Sequence, residues 1–455
     1  MKELDFFFYP KTVAVIGASR EPGKVGHAIM QNFTSEKFEG KVFPVNPKAE
    51  EIMGFKAHSS IAKIKERIDL AVICTPSATV PKVFLECCKK KVPAVIIISA
   101  GFEEIGNKEL TNSLRALIKK YPKTRVVGPN CLGTLNCANG VDTLFLPQYR
   151  LERPEAGVVS FISQSGALGS AVLDWSSMNE YGIAKFASYG NAMDVDESDL
   201  LEYLANDLQT KVIVMYIEGV KNGKKFFETA KKYAKKKPII VLKGGTTEAG
   251  TKAVASHTGS MAGSMAAYDA VFKQTGLIKA NNLLELFDYA RVLSRLPPAK
   301  GKRVQIITDG GGYGVVTADE VINHGLELAK MSEKSIAEIR KVVPPYVILR
   351  NPMDLTGDAN NERYQVAVEA ALKDKNVDMV IAIVLYQVPS LDSDVVETIR
   401  ALNEKSSKPM IVISVGGAYS EVHKRALERE GVVNFSYPDD AVKALKALVE
   451  FYAEK

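Results

Sequence analysis

Cysteine is scarce in this chain. The five present in 455 residues (Cys74, Cys87, Cys88, Cys131 and Cys137) show no zinc-ligand spacing and fall mostly in apolar segments. That excludes a disulfide scaffold and a cysteine-based finger, and points to buried thiols in a reducing compartment. No apolar run approaches the ~20 residues needed to span a bilayer. The start, Met1-Lys2-Glu3-Leu4-Asp5, lacks the charged-then-apolar order of a secretion signal. Together these point to a cytoplasmic protein with no membrane partner. A basic stripe interleaved with aromatics is missing too, and the net charge of +6 is dispersed. This excludes a nucleic-acid binder and leaves only a weak pull on anionic ligands. There is no short-period repeat. What remains is the balance of an ordinary globular protein, 46% hydrophobic and 25% charged, with length for about three domains.

Short β-rich runs at Val13 to Ile16, Val42 to Val45, Leu70 to Ile73, Ala94 to Ile98 and Arg125 to Val127 are separated by helical patterns, notably Val80 to Lys90 and Lys108 to Lys119. Strand and helix alternating at this interval predict a parallel sheet covered on both faces. The first strand runs into Gly17-Ala18-Ser19 and on through Lys24-Val25-Gly26, where a helix opens. Backbone N–H groups at such a turn face phosphate oxygens, and glycine lets the phosphate approach.

The dinucleotide fingerprint G-x-G-x-x-G is absent. So is the acid at the end of the second strand that would hold a ribose diol, because that strand ends Asn46-Pro47-Lys48. Asn46 and Lys48 favour another phosphate. Coenzyme A, with a pyrophosphate and a 3′-phosphate, fits better than a nicotinamide dinucleotide. The small polar strand ends Thr75-Pro76, Ser99-Ala100-Gly101 and Asn130 are placed to line a groove for its pantetheine arm, with ordinary β–α turn chemistry as the competing account.

A second α/β unit opens near Ala156. Its first strand, Gly157 to Ile162, turns through Ser163-Gln164-Ser165-Gly166 into a helix, an anion site by dipole and unpaired N–H groups; a plain serine cap is the alternative. The acidic stretch Gly190 to Asp199 reads as helix capping rather than a metal site. The strand Val212 to Ile217 ends at Glu218, which either orients an imidazole or faces solvent. After Pro238 to Leu242 comes Gly244 to Gly263, too polar and glycine-rich to form a packed helix throughout. It carries His257 among Ser256, Thr258, Gly259 and Ser260. A histidine in a loop after a parallel strand is well placed to meet a ligand. Pro297 to Lys302 marks a linker. A third α/β unit begins at Arg303, with a second phosphate-cradle candidate at Gly310-Gly311-Gly312.

Five ordered marks carry a resemblance over nearly the whole chain: Gly17-Ala18-Ser19 to Gly26, Ser163-Gln164-Ser165-Gly166, Gly190-Asn191-Ala192-Met193-Asp194, Glu218-Gly219 and Ser256-His257-Thr258-Gly259-Ser260. The chain resembles the α subunit of ADP-forming acetyl-CoA synthetase, of the succinyl-CoA synthetase superfamily. The resemblance implies three doubly wound α/β domains: a Rossmann-like CoA-binding domain over 1–150, then flavodoxin-like CoA-ligase domains over 151–298 and 299–455. It implies that His257 is phosphorylated in turnover, that Glu218 bonds it, and that Ser163, Ser165, Gly166 and Gly310 to Gly312 hold the phosphoryl group. The substrates implied are acetyl-CoA or another acyl-CoA, phosphate and ADP. The family's ATP-grasp domain has no room here, so a separate β subunit is expected to bring ADP/ATP with Mg²⁺, in an α2β2 heterotetramer. No metal site is expected in this chain. A silent CoA-binding scaffold and an NAD-linked oxidoreductase remain the alternatives.

Overall fold

The computed structural model describes residues 3–34, 37–258 and 265–453, and for 255–258 the backbone only. They form two compact units, Met1–Ala280 and Asn281–Lys455.

The first unit holds two sheets. Strands β1 (Thr12–Ile16), β2 (Lys41–Val45), β3 (Leu70–Ile73), β4 (Ala94–Ile97) and β5 (Arg125–Val127) form one parallel sheet in the order β2-β1-β3-β4-β5. Its strands β3 and β4 are apolar at every position because helices cover both faces; Leu70 to Ile73 are fully buried. Helix α1 (Val25–Asn32) follows β1.

The second sheet runs through β6 (Gly133–Asn136), β7 (Val141–Asp142), β8 (Ala156–Ser163), β9 (Ile183–Ser188), β10 (Val212–Ile217), β11 (Ile239–Lys243) and β12 (Ile278–Ala280), in the order β12-β11-β10-β8-β9-β6-β7. Only β6 runs against its neighbours, antiparallel to both β9 and β7. This hairpin falls within the span 1–150 expected for the first domain, yet pairs with β9. Helices α2 (Gly166–Met178), α3 (Glu197–Ala205), α4 (Glu248–Thr258) and α5 (Met265–Thr275) belong to the same unit.

The stretch read as a glycine-bearing loop around His257 is therefore helical over Glu248–Thr258. Three alanines and Lys252 favour helix there. Thr247 Oγ1 accepts from Gly250 N at 3.1 Å, and Glu248 pairs with Lys252 one turn later at 2.7 Å. The one glycine inside the helix, Gly250, is outvoted. Residues 259–264, and the side chain of His257, lie outside the described residues.

The second unit starts with α6 (Leu283–Arg295). Then come β13 (Arg303–Thr308), α7 (Gly311–Asn323), β14 (Glu327–Leu328), β15 (Met353–Asp354), β16 (Met379–Val384), β17 (Met410–Ser414), β18 (Asn434–Phe435) and α8 (Pro438–Ala453). The sheet order is β14-β13-β16-β17-β18, with β15 also paired to β13. Helix α6 packs on α8. No helix among the described residues is long and apolar enough to cross a membrane.

Candidate functional site

Open α/β sheets bind ligands outside the carboxyl ends of their strands, where successive strands depart in opposite directions. In the first sheet that point is β1, flanked by β2 and β3; in the second it is β8, flanked by β9 and β10. The glycine turns after β1 and after β8 line one cleft of about 1200 Å³.

Gly17 leaves β1 with φ +97°, and a Cβ there would stand 2.9 Å from the Cys74 carbonyl oxygen. Gly26, in the first turn of α1, sits so close that a Cβ would lie 2.0 Å from the Gly17 oxygen. Helix and strand therefore meet backbone to backbone, which only glycine allows. Ala18, Ser19, Lys24 and Val25 line the same turn. Lys24 and Lys48 are exposed at its mouth. The Asn46 amide donates to the Ala18 carbonyl at 2.8 Å, and its Oδ1 accepts from Lys48 N at 2.8 Å. Asn46 thus holds the turn in shape, and no carboxylate stands at the end of β2 to receive a ribose diol.

Thr75, Pro76, Ser99, Ala100 and Asn130 line the floor of the cleft. Gly101 lies just behind, with φ +111°. Two thiols face the same space, and burial pushes Cys74 and Cys131 each up to about 12. They are protonated packing groups here, which argues against thiolate chemistry.

At the far end, Ser165 caps α2, its Oγ accepting from Leu168 N at 3.2 Å. Ser165 and Gly166 line the cleft. Ser163 is fully buried beneath the turn, its hydroxyl donating to the Ser165 carbonyl at 2.7 Å; it shapes the turn and stays out of the lining. Gln164 Oε1 accepts from Glu218 N at 2.7 Å and Gly219 N at 3.0 Å. This one side chain ties the end of β8 to the end of β10. Glu218 is 5% exposed and accepts from the Tyr216 hydroxyl at 3.3 Å. Burial, with the Glu218 carboxylate beside it, pushes Tyr216 up to about 12. Burial also lowers the Lys243 ammonium, against the opposing pull of Glu218.

Sequence reasoning missed Glu104. Its carboxylate accepts from Gly101 N, from Phe102 N at 3.1 Å and from the Asn191 amide at 2.6 Å. Burial raises this group, but those hydrogen bonds win and hold it below the usual glutamate range. It locks the end of β4 to the Gly190 turn, where a Cβ on Gly190 would lie 2.2 Å from the Asn130 oxygen. Helix α4 lies against the turn that carries Glu104. Gly190-Asn191 was legible as a motif; its partner Glu104, 87 residues away, had no signal.

The acidic stretch after Gly190 caps rather than coordinates. Asp196 and Asp199 form a capping box on α3, and Asp194 accepts from Arg125 Nε at 3.0 Å and Val126 N at 2.7 Å. In the second unit Gly310, Gly311 and Gly312 begin α7 at the third switch point, after β13. There the Asp354 carboxylate lies 2.5 Å from where a Gly311 Cβ would be.

Three family models match in series: a CoA binding domain over 11–136, a succinyl-CoA ligase like flavodoxin domain over 156–293, and a ligase-CoA domain over 304–452. The chain is 41% identical to the α subunit of acetate–CoA ligase [ADP-forming] II from Pyrococcus furiosus, over 98% of this chain and 97% of that one. It is 42% identical to acetate–CoA ligase [ADP-forming] from Methanocaldococcus jannaschii, over 99% of this chain but only 63% of that longer protein. A solved acetyl-coenzyme A synthetase 1 from Ca. Korarchaeum cryptofilum, in complex with phosphate and ADP, superposes with a TM-score of 0.94 at 37% identity, covering 100% of this chain and 97% of that one.

Proposed function

The chain belongs to the ADP-forming acetate–CoA ligase family, and from that premise we propose that it is the α subunit of an acid–thiol ligase working as acyl-CoA + ADP + phosphate ⇌ carboxylic acid + CoA + ATP. The observation that carries this reading is the single cleft joining the Gly17 turn to the Ser165–Gly166 helix start. A CoA thioester anchored by its phosphates at the first turn brings its reacting end toward the second. Lys24 and Lys48 meet the phosphates, and Gly17, which a Cβ would crowd, lets them approach. Thr75, Ser99 and Asn130 flank the arm.

At the far end a phosphate oxygen attacks the thioester carbonyl. The C–S bond breaks, the thiolate of CoA takes a proton, and an acyl phosphate remains, its charge met by the N–H groups at Ser165–Gly166. The neutral His257 imidazole then attacks phosphorus, forming N–P as P–O breaks and the carboxylate leaves. Glu218 orients that ring and stabilises its charge. Phosphohistidine finally gives its phosphoryl group to ADP. The turn Gly310 to Gly312 is read as a second cradle for the same group.

The domains are read as 1–150, 151–298 and 299–455. ADP/ATP with Mg²⁺ is assigned to a β subunit bearing an ATP-grasp domain, in a cytoplasmic α2β2 assembly. The α-subunit names of the Pyrococcus furiosus relatives and the greater length of the Methanocaldococcus jannaschii protein support that division.

Incubation with radiolabelled phosphate, acetyl-CoA and the partner subunit is expected to give an acid-labile label that disappears in His257→Ala. Label retained in that variant overturns the assignment. A silent scaffold binds CoA and never takes label.

A further inference from the structure

The opposite end of α7 from its glycine turn carries a polar cluster that the proposed reaction does not use. His324, the residue that closes α7, turns Nε2 toward Glu320 Oε2 at 3.3 Å and toward Asp439 Oδ1 of α8 at 3.1 Å. The three atoms all lie within 4.8 Å of one another. A ring nitrogen carries either one proton or one lone pair, and a single N–H cannot aim at two carboxylates at good angles. A small cation between them satisfies all three at once. The two imidazole spacings, 3.3 and 3.1 Å, match the ligand-to-ligand edges of about 3.3 Å for zinc held tetrahedrally at ~2.0–2.1 Å.

The surroundings favour the same occupant. Lys443 takes the other oxygen of Asp439, Oδ2, at 2.8 Å and leaves Oδ1 facing the imidazole. Lys443 also lies 3.6 Å from Glu285, and Asp440 adds a further carboxylate nearby. The carbonyl end of a helix attracts positive charge.

We propose that Glu320, His324 and Asp439 form a three-ligand site for a zinc-class divalent cation, tying α7 to α8 as a structural staple. The expectation of no metal in this chain is revised by it, because Asp439 comes 115 residues after His324 and the set exists only in the fold.

The test uses the full, untagged chain stripped with EDTA and titrated with zinc chloride against a chromogenic chelator. One equivalent should bind and raise Tm, and cobalt should give the visible bands of a four-coordinate N/O site. His324→Ala should weaken binding at least about tenfold and abolish the rise in Tm. Glu320→Gln, which keeps the side chain's volume, should weaken binding with the fold retained. Absence of stoichiometric binding, or equal binding by His324→Ala, overturns the proposal. So does a stability that zinc leaves unchanged.

Discussion

Glu197 shows how one buried group sets a pH dependence. It opens α3 just after the capping Asp196, is 1% exposed, and its Oε1 has no hydrogen-bond partner among the described residues. Burial, with the Asp196 charge beside it, pushes its carboxyl from 4.5 up to about 7, against the opposing Lys225. The folded chain therefore holds a proton that the unfolded chain releases near pH 4.5. Stability falls as pH rises from about 4.5 to 7 and is level above that, by on the order of 3 kcal/mol. Glu197→Gln, which cannot ionise, should abolish this decline and leave the protein more stable than wild type at pH 8. Urea unfolding at pH 5 and pH 8 measures both; parallel pH profiles for the two proteins would show that Glu197 does not titrate in this range.

At the scale of the element, the start of α2 combines two roles that substitution separates. Ser165 caps the helix and lines the cleft. Ser165→Ala should cost about 1 kcal/mol in stability through the lost cap. Ser165→Asp keeps a good cap and complements the helix dipole, yet puts a negative charge where phosphate is proposed to sit. Its stability should match wild type while phosphate-dependent turnover drops about a hundredfold or more. Thermal melts beside initial rates at varied phosphate decide this; full turnover by the Asp variant removes phosphate from that helix start. Helix α4 teaches a related lesson. Its polarity and glycines read as a loop, but a threonine cap, three alanines and one ion pair favour helix there.

For the whole molecule, the prediction concerns where the last unit begins. Sequence punctuation marks Pro297–Lys302, whereas α6 lies before it and packs on α8. The reason is a buried charge network. Arg291 is 7% exposed and donates to Asp288 Oδ1, to Glu428 Oε1 at 2.8 Å and to the Asn434 carbonyl at 3.2 Å. Its guanidinium lies 4.8 Å from the Phe435 ring centre. Burial raises the Asp288 carboxyl to about 6 in spite of Arg291. A fragment spanning 281–455 should unfold cooperatively. One spanning 299–455 should lose at least about 3 kcal/mol, since Glu428 is left buried without its guanidinium. Equal urea midpoints would show that α6 adds nothing to that unit.

The sequence by itself determined the α/β alternation, the strand positions, and the glycine and serine turns at which ligands can be met. Those are local properties: apolar runs of strand length, residues that tolerate left-handed backbone, and hydroxyls able to cap a helix. Only the tertiary structure decided which turns share a cleft, that Glu104 locks Asn191 in place, that β6 and β7 join the second sheet, and that His324 meets Asp439. Each depends on residues tens to more than a hundred positions apart, brought together by strand order and helix packing, and no local pattern in a single chain carries that information.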